Sequence, residues 1–255
     1  MRIVRYQTGH DAPRYGWVHE GQVGDIDGDV FGDYMRREAT KALSGVKLLA
    51  PVLPSKILCV GRNYVEHAKE LGNVVPKIPL IFMKPPSAVI GPGAAIVLPQ
   101  QSKQVEYEGE LVAVIGKRGR NITAEHAKQY VLGYTVGNDV TARDLQKSDE
   151  LWTRAKGFDT FCPSGPWIDT EFDISDAVIS TRVNNEPRQM GSTQDMTFSV
   201  ATLVAYVSSI MTLMPGDLLF TGTPSGVGTL KGGDEVVVEI EGLGVLRNVV
   251  RAEEG

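Results

Sequence analysis

A mixed, largely antiparallel and mainly β architecture with few helices is predicted for this chain of 255 residues. Apolar, strand-like runs separated by glycines and prolines dominate from residue 56 onward. One long segment has clear helical periodicity, and no βαβ alternation links helices to strands. The composition, 42% hydrophobic and 22% charged, suits a chain that buries a substantial core and excludes a disordered polymer.

Residues 2–30 read as short strands, with Tyr15–His19 and Gln22–Ile26 flanking a Glu20-Gly21 hairpin turn. Asp33–Leu43 reads as a short helix. Two prolines within Ala50-Pro51-Val52-Leu53-Pro54-Ser55 mark a stiff linker, so a small N-terminal domain (1–50) is expected before a larger one (51–255). Strands are expected at Lys56–Val60, Leu80–Lys84, Val105–Gly116, Leu132–Asp139, Val178–Asn184, Asp217–Thr221 and Glu235–Glu241, with Asn184-Asn185 at a hairpin tip that tolerates positive φ. Val200, Leu203, Val204, Val207, Ile210 and Met211 keep the three-and-four spacing of an amphipathic helix that Pro215-Gly216 stops. A second helix is signalled by Asn63 and Glu66, spaced as a capping box, with Gly72 as its stop. Thr123 caps a third, short one.

The net charge of -5, with no lysine or arginine stripe, argues against a nucleic-acid partner. It also requires any site for an anion to bring its own positive charge. No run reaches the ~18 apolar residues of a membrane span, and the opening Met-Arg-Ile-Val-Arg-Tyr has no apolar stretch behind it, so a soluble, cytoplasmic protein is expected. Cys59 and Cys162 lie too far apart in sequence for a CxxC pair, and Cys59 falls in an apolar run where a buried thiol is expected.

The chemistry concentrates in two segments. In Val105-Glu106-Tyr107-Glu108-Gly109-Glu110-Leu111, strand alternation projects three glutamates to one face, and the strand continues into an apolar stretch. Burying such a cluster is costly unless a cation offsets it, although a solvated acidic edge would show the same pattern. Oxygen-only ligation selects a hard ion such as Mg²⁺, Mn²⁺ or Ca²⁺ over zinc, and Asp139 is a candidate for the missing acid. In Gly61-Arg62-Asn63-Tyr64-Val65-Glu66-His67-Ala68-Lys69-Glu70, His67 and Glu70 share a helical face. A carboxylate on one imidazole nitrogen raises the basicity of the other, which suits a general base; a plain surface pair is the alternative. His10, His19 and His126 read as structural or solvated. Lys84, Arg143 and Lys156 are the cationic candidates. The loop Phe220-Thr221-Gly222-Thr223-Pro224-Ser225-Gly226-Val227-Gly228 offers backbone amides to an anion but lacks the ending of a nucleotide-binding phosphate loop.

Taken in order, GRNYVEHAKELG, IFMKPPSAVIGPG, VEYEGELVAVIGK, GYTVGNDVTARDLQ, WTRAKGFDTFCPSGPW and GDLLFTGTPSGVG resemble the fumarylacetoacetate hydrolase family from about residue 50 to the end. The resemblance implies that family's mixed β-roll fold, a homodimer, and a divalent ion (Mg²⁺ or Mn²⁺, with Ca²⁺ an option) on Glu108, Glu110 and Asp139. It makes His67 and Glu70 a catalytic dyad and Lys156 the group that stabilises developing negative charge. Arg143, Gln146 and Thr223 would hold the carboxylate or oxo group of a small 2-oxo acid, with Lys84 nearby. Glu106 stands where relatives often carry aspartate and is given a supporting role. The reaction it implies first is carbon–carbon hydrolysis of an acylpyruvate-type 2,4-dioxo acid, whose enolate charge the metal and Lys156 absorb. Isomerisation or tautomerisation, and oxaloacetate decarboxylation, use the same parts. A lid spanning Tyr64–Lys77, closing over bound substrate, is a further expectation.

Overall fold

The computed structural model describes residues 1–253. Its main sheet runs, edge to edge, through Tyr34–Ala42, Gln22–Gly28, Arg14–His19, Arg2–Gln7, Cys162–Asp169, Val131–Asn138, Gly109–Ile115, Leu218–Phe220, Ile57–Gly61 and Leu80–Lys84. Every neighbouring pair along this path is antiparallel except Leu218–Phe220 with Ile57–Gly61. A second sheet is ordered Glu186–Ser192, Val178–Val183, Glu235–Ile240, Gly244–Ala252, Ala95–Leu98. A small third sheet joins Thr141–Ala142, Val105–Tyr107 and Gly228–Thr229. The fold is therefore mostly β with mixed sheets, as the punctuation of the sequence implies. Among the described residues four α-helices are inserted: α1 (Val65–Glu70), α2 (Arg143–Ser148), α3 (Thr153–Lys156) and α4 (Val200–Ile210).

Strand Gly109–Ile115 lies at the centre of this arrangement. Leu111, Ala113 and Ile115 pack against Ile179, Val238 and Leu246 of the second sheet and against Leu203, Val204 and Val207 of α4. Val112 and Val114, on the opposite face, meet Ile3, Ile57, Cys59 and Phe220. Burial on both faces explains why this run is continuously apolar instead of alternating. Cys59 and Cys162 are buried free thiols. The first strand pairs with Cys162–Asp169 (Arg2↔Asp169, Ile3↔Ile168), so the N-terminal segment extends the main sheet and contributes Ile3, Ile26 and Val30 to its core.

Local signals hold where the backbone itself demands them. Glu20 and Gly21 have φ of 46° and 75°, and Asn184 and Asn185 of 53° and 66°, the left-handed pairs that tight hairpins need. Ser199 caps α4 by accepting from the Thr202 amide at 3.2 Å. Three expectations fail. Asp33–Leu43 is not helical: Tyr34–Ala42 is an edge strand paired with Gln22–Gly28, because a neighbour's free edge outweighs a weak local preference. Asn63 caps no helix. Its side chain accepts from the Phe198 amide at 2.7 Å and donates to the Thr221 carbonyl at 2.7 Å, and Tyr64 stands at the N-cap instead. Thr123 precedes a 3₁₀ helix (Ala124–Gln129) and meets the His126 ring at 2.9 Å without capping a backbone amide. The stop at Gly72 does hold: Gly72 (φ 68°) and Asn73 donate back to Lys69 and Ala68, a Schellman ending.

Candidate active site

The continuous strand expected over Val105–Gly116 breaks at Glu108, where the chain passes from the small sheet into the main one. The break is tied down: the Glu108 amide donates to Asn138 Oδ1 at 2.9 Å, and the Asp139 amide donates to the Glu108 carbonyl at 2.8 Å. Glu108 is thereby placed beside Asp139, at the end of Val131–Asn138, while Glu110 follows within the main strand. One carboxylate oxygen from each of Glu108, Glu110 and Asp139 lies within 4.8 Å of the others, and all three residues are buried. Gly109 between them does not clear space for the glutamates. A Cβ there would sit 2.4 Å from Thr181 Oγ1, so its small size serves the contact between the two sheets.

Glu106 stands apart from this group. Its Oε2 accepts from Arg143 Nε at 2.7 Å and its Oε1 from Gln104 Nε2 at 2.6 Å, so it anchors Arg143. Arg143, at the start of α2, also donates to Glu108 Oε1 and Gln146 Oε1. Lys156, at the end of α3, reaches Glu108 Oε2 at 2.8 Å and Asp139 Oδ2 at 2.6 Å. Lys84 was expected near the substrate; the structure puts it behind the site. Its Nζ donates to the carbonyls of Lys156 (2.7 Å) and Val140 (3.0 Å) and lies 2.7 Å from Asp139 Oδ1, which leaves it nothing to offer a ligand.

Four buried carboxylates (Glu106, Glu108, Glu110, Asp139) lie among three buried cations (Lys84, Arg143, Lys156). Burial raises the Glu108 carboxyl, but Lys156, Arg143 and His67 outweigh it and hold the group well below the usual carboxylate range. Glu110 is balanced the other way: burial, then Asp139 and Glu108, push it well above the ordinary value, and the opposing pull of Lys156 and of the Gly222 amide at 2.7 Å does not offset them. For Lys156 burial favours the neutral form, but Asp139 and Glu108 more than reverse this, so it is a fixed positive charge and not a base. Asp139 Oδ1, itself buried, lies 2.7 Å from Lys84 Nζ but accepts no well-formed hydrogen bond. A buried all-oxygen cluster of this kind fits a hard divalent ion.

A small cavity opens over these carboxylates, lined also by His67, Arg143, Gln146, Lys156 and Thr223. His67, buried on α1, brings Nδ1 to 3.1 Å from Glu70 Oε2. The other Glu70 oxygen accepts from the Gly226 amide at 3.0 Å. The glycine-rich loop thus spends its amides on the protein's own anions, Gly222 on Glu110 and Gly226 on Glu70. Thr223 lines the cavity, yet its hydroxyl is already committed, donating to the Gly109 carbonyl and accepting from Gln189 Nε2, both at 2.8 Å. Gln189 and Asn138 gave no signal in sequence. Both are buried amides that hold loops in place, and only the pairing of strands remote in sequence reveals them. Arg62, in a quoted motif but given no role, also lines the cavity.

A protein of Rattus norvegicus named oxaloacetate tautomerase Fahd2a, mitochondrial, is 48% identical over 286 residues, spanning 98% of this chain and 91% of its own. The crystal structure of a 5-carboxymethyl-2-hydroxymuconate delta-isomerase from Mycobacterium smegmatis superposes with a TM-score of 0.92 at 42% identity, over 99% of this chain and all of that one. A 2-hydroxyhepta-2,4-diene-1,7-dioate isomerase from Mycobacterium marinum gives the same score and identity over the whole of both chains. Residues 1–51 match the domain described as Rv2993c-like, N-terminal. Because residues 56–251 match the domain described as fumarylacetoacetate (FAA) hydrolase C-terminal, the chain belongs to the fumarylacetoacetate hydrolase family.

Proposed function

We propose that this protein moves a proton between C3 and the oxo oxygen of a 2-oxo acid, acting as an oxo–enol tautomerase or isomerase. The observation that carries this reading is the His67–Glu70 pair lining the same cavity as the buried triad Glu108, Glu110 and Asp139. The family relatives named as a tautomerase and isomerases support it. Glu108, Glu110 and Asp139 would hold Mg²⁺ or Mn²⁺, which would act as a Lewis acid on the oxo and carboxylate oxygens. Arg143 and Gln146 line the cavity beside the triad and would orient the substrate carboxylate. Glu70 keeps a proton on Nδ1 of His67, leaving Nε2 free to take the C3 proton and, as imidazolium, to return it to oxygen. Lys156 keeps its charge in this surrounding and would offset the enolate. A cytoplasmic homodimer completes the proposal.

Hydrolysis of an acylpyruvate is the second reading. What favours it is the same dyad, since an imidazole braced by Glu70 can equally deprotonate water for attack on a distal carbonyl. The experiment that separates the two follows loss of enol absorbance from oxaloacetate, cleavage of acetylpyruvate, and loss of carbon dioxide, each with Mg²⁺ and with chelator. Enol loss abolished by chelator and by His67→Ala, without cleavage, is the expected result. Unchanged enol loss in His67→Ala would overturn the proposal.

A further inference from the structure

Arg62 joins strand Ile57–Gly61 to α1 in a conformation that non-glycine residues seldom adopt, with φ of 60°. The chain has little choice there. Asn63 is clamped to Phe198 and Thr221, so residue 62 must make the left-handed turn. Glycine or asparagine would do this with less strain. An arginine at such a point, its side chain lining the cavity, indicates that the side chain is needed.

Its surroundings show for what. Arg143 and Lys156, the other cations lining the cavity, are each ion-paired with the buried carboxylates Glu106, Glu108 and Asp139. The Arg62 guanidinium forms no ion pair or hydrogen bond among the described residues and rests 6.0 Å over the Trp152 ring. One wall of the cavity can be followed from the triad outward. Lys156 Nζ lies 4.8 Å over Phe82, Phe82 meets Trp152 edge-on at 5.3 Å, and Arg62 lies beyond Trp152. A guanidinium without an ion pair is thus separated from the triad end by two aromatic rings, in a cavity whose other cations are paired with the protein's own carboxylates. Planar, bidentate pairing with a carboxylate is what a guanidinium does best.

We propose that Arg62 binds the second, distal carboxylate of the substrate, so that the site selects 2-oxo dicarboxylates over 2-oxo monocarboxylates. This rests on the reading of the cavity as a 2-oxo acid site and adds the substrate class. The test compares oxaloacetate with 2-oxobutyrate, which has the same four carbons but a methyl in place of the distal carboxylate. Binding is measured by calorimetry with saturating Mg²⁺ in a His67→Ala background, so that turnover does not interfere. Against that background, Arg62→Gln is expected to weaken oxaloacetate about 10- to 100-fold, as for loss of a charge-assisted hydrogen bond, and to leave 2-oxobutyrate unchanged. Arg62→Lys should recover part of the preference. Arg62→Gly, which relieves the left-handed backbone, should be at least as heat-stable as its parent and should also lose the preference. Equal weakening of both acids, or of neither, by the Gln and Gly variants would overturn the role of Arg62. A retained preference for oxaloacetate in a protein that turns over no 2-oxo acid would support Arg62 and overturn the proposed reaction alone.

Discussion

Glu110 and Glu108 are two residues apart on one chain and are driven in opposite directions. Lys156 and Arg143 hold the Glu108 carboxyl down, whereas at Glu110 burial and two like charges outweigh Lys156 and the Gly222 amide. The raised group sets the sign of the pH response above the ordinary glutamate range. The folded protein keeps the Glu110 proton more tightly than the unfolded chain, so stability of the metal-free protein falls as pH rises from about 4.5 toward the folded value. A divalent ion needs that proton gone. Denaturant melts across this range should show a falling stability without metal and little slope with saturating Mg²⁺, and metal binding should release protons, read as a buffer-dependent calorimetric heat. The same slope with and without metal would remove Glu110 from the ligand set. Lys156 gives a second prediction at this scale. Lys156→Met should lower kcat about a hundredfold or more while metal affinity holds. In the metal-free protein it should also cost stability, since it strands Glu108 and Asp139.

A six-residue helix such as α1 does not persist unaided. It is held by its Schellman ending, by the bridge of Tyr64 to Met196, and by Glu70 on the Gly226 amide. The chain that follows is barely attached, with Val74 83% and Ile78 64% exposed. A lid over Tyr64–Lys77 remains a proposal, and this uneven attachment is what supports it. Oxalate with Mg²⁺ should slow hydrogen exchange in Tyr64–Lys77 more than elsewhere; equal exchange with and without oxalate would show a rigid segment. Gly226 is the point at which to disturb the dyad without touching it. A Cβ there would lie 2.1 Å from the Arg188 carbonyl at a φ of 101°, so Gly226→Ala must shift the amide that orients Glu70. Its kcat should fall about tenfold or more while calorimetric Mg²⁺ affinity stays unchanged.

The first fifty residues extend the main sheet and its core. Removing residues 1–50 would strip the strand paired with Cys162–Asp169 and take Ile3, Ile26 and Val30 from the core. The bared edge should make the truncated chain aggregate, measured as soluble yield and light scattering. A monodisperse, active 51–255 fragment would show instead that the N-terminal segment is an independent attachment. Metal binding acts at the same scale. Mg²⁺ at a hundredfold excess over its Kd should raise Tm by about 5–10 °C.

The sequence by itself determined the architecture class, the two hairpin tips, α4, the convergence of Glu108, Glu110 and Asp139, and the pairing of His67 with Glu70. These follow from period-two and period-3.6 patterns, from positive-φ residues, and from motifs that travel together. It could not show that Glu106 serves Arg143, that Lys84 stands behind the site, or that Asn63 clamps Phe198 and Thr221. It read an edge strand at Tyr34–Ala42 as a helix, and left Gln189, Asn138 and Arg62 without roles. Each of these depends on partners far away in the chain, brought close only by strand pairing. A lysine's sequence neighbourhood does not reveal whether its ammonium faces a cavity or two carbonyls. That is decided when the sheets close, because the low-dielectric interior obliges every buried donor and charge to take whichever partner the fold brings within reach.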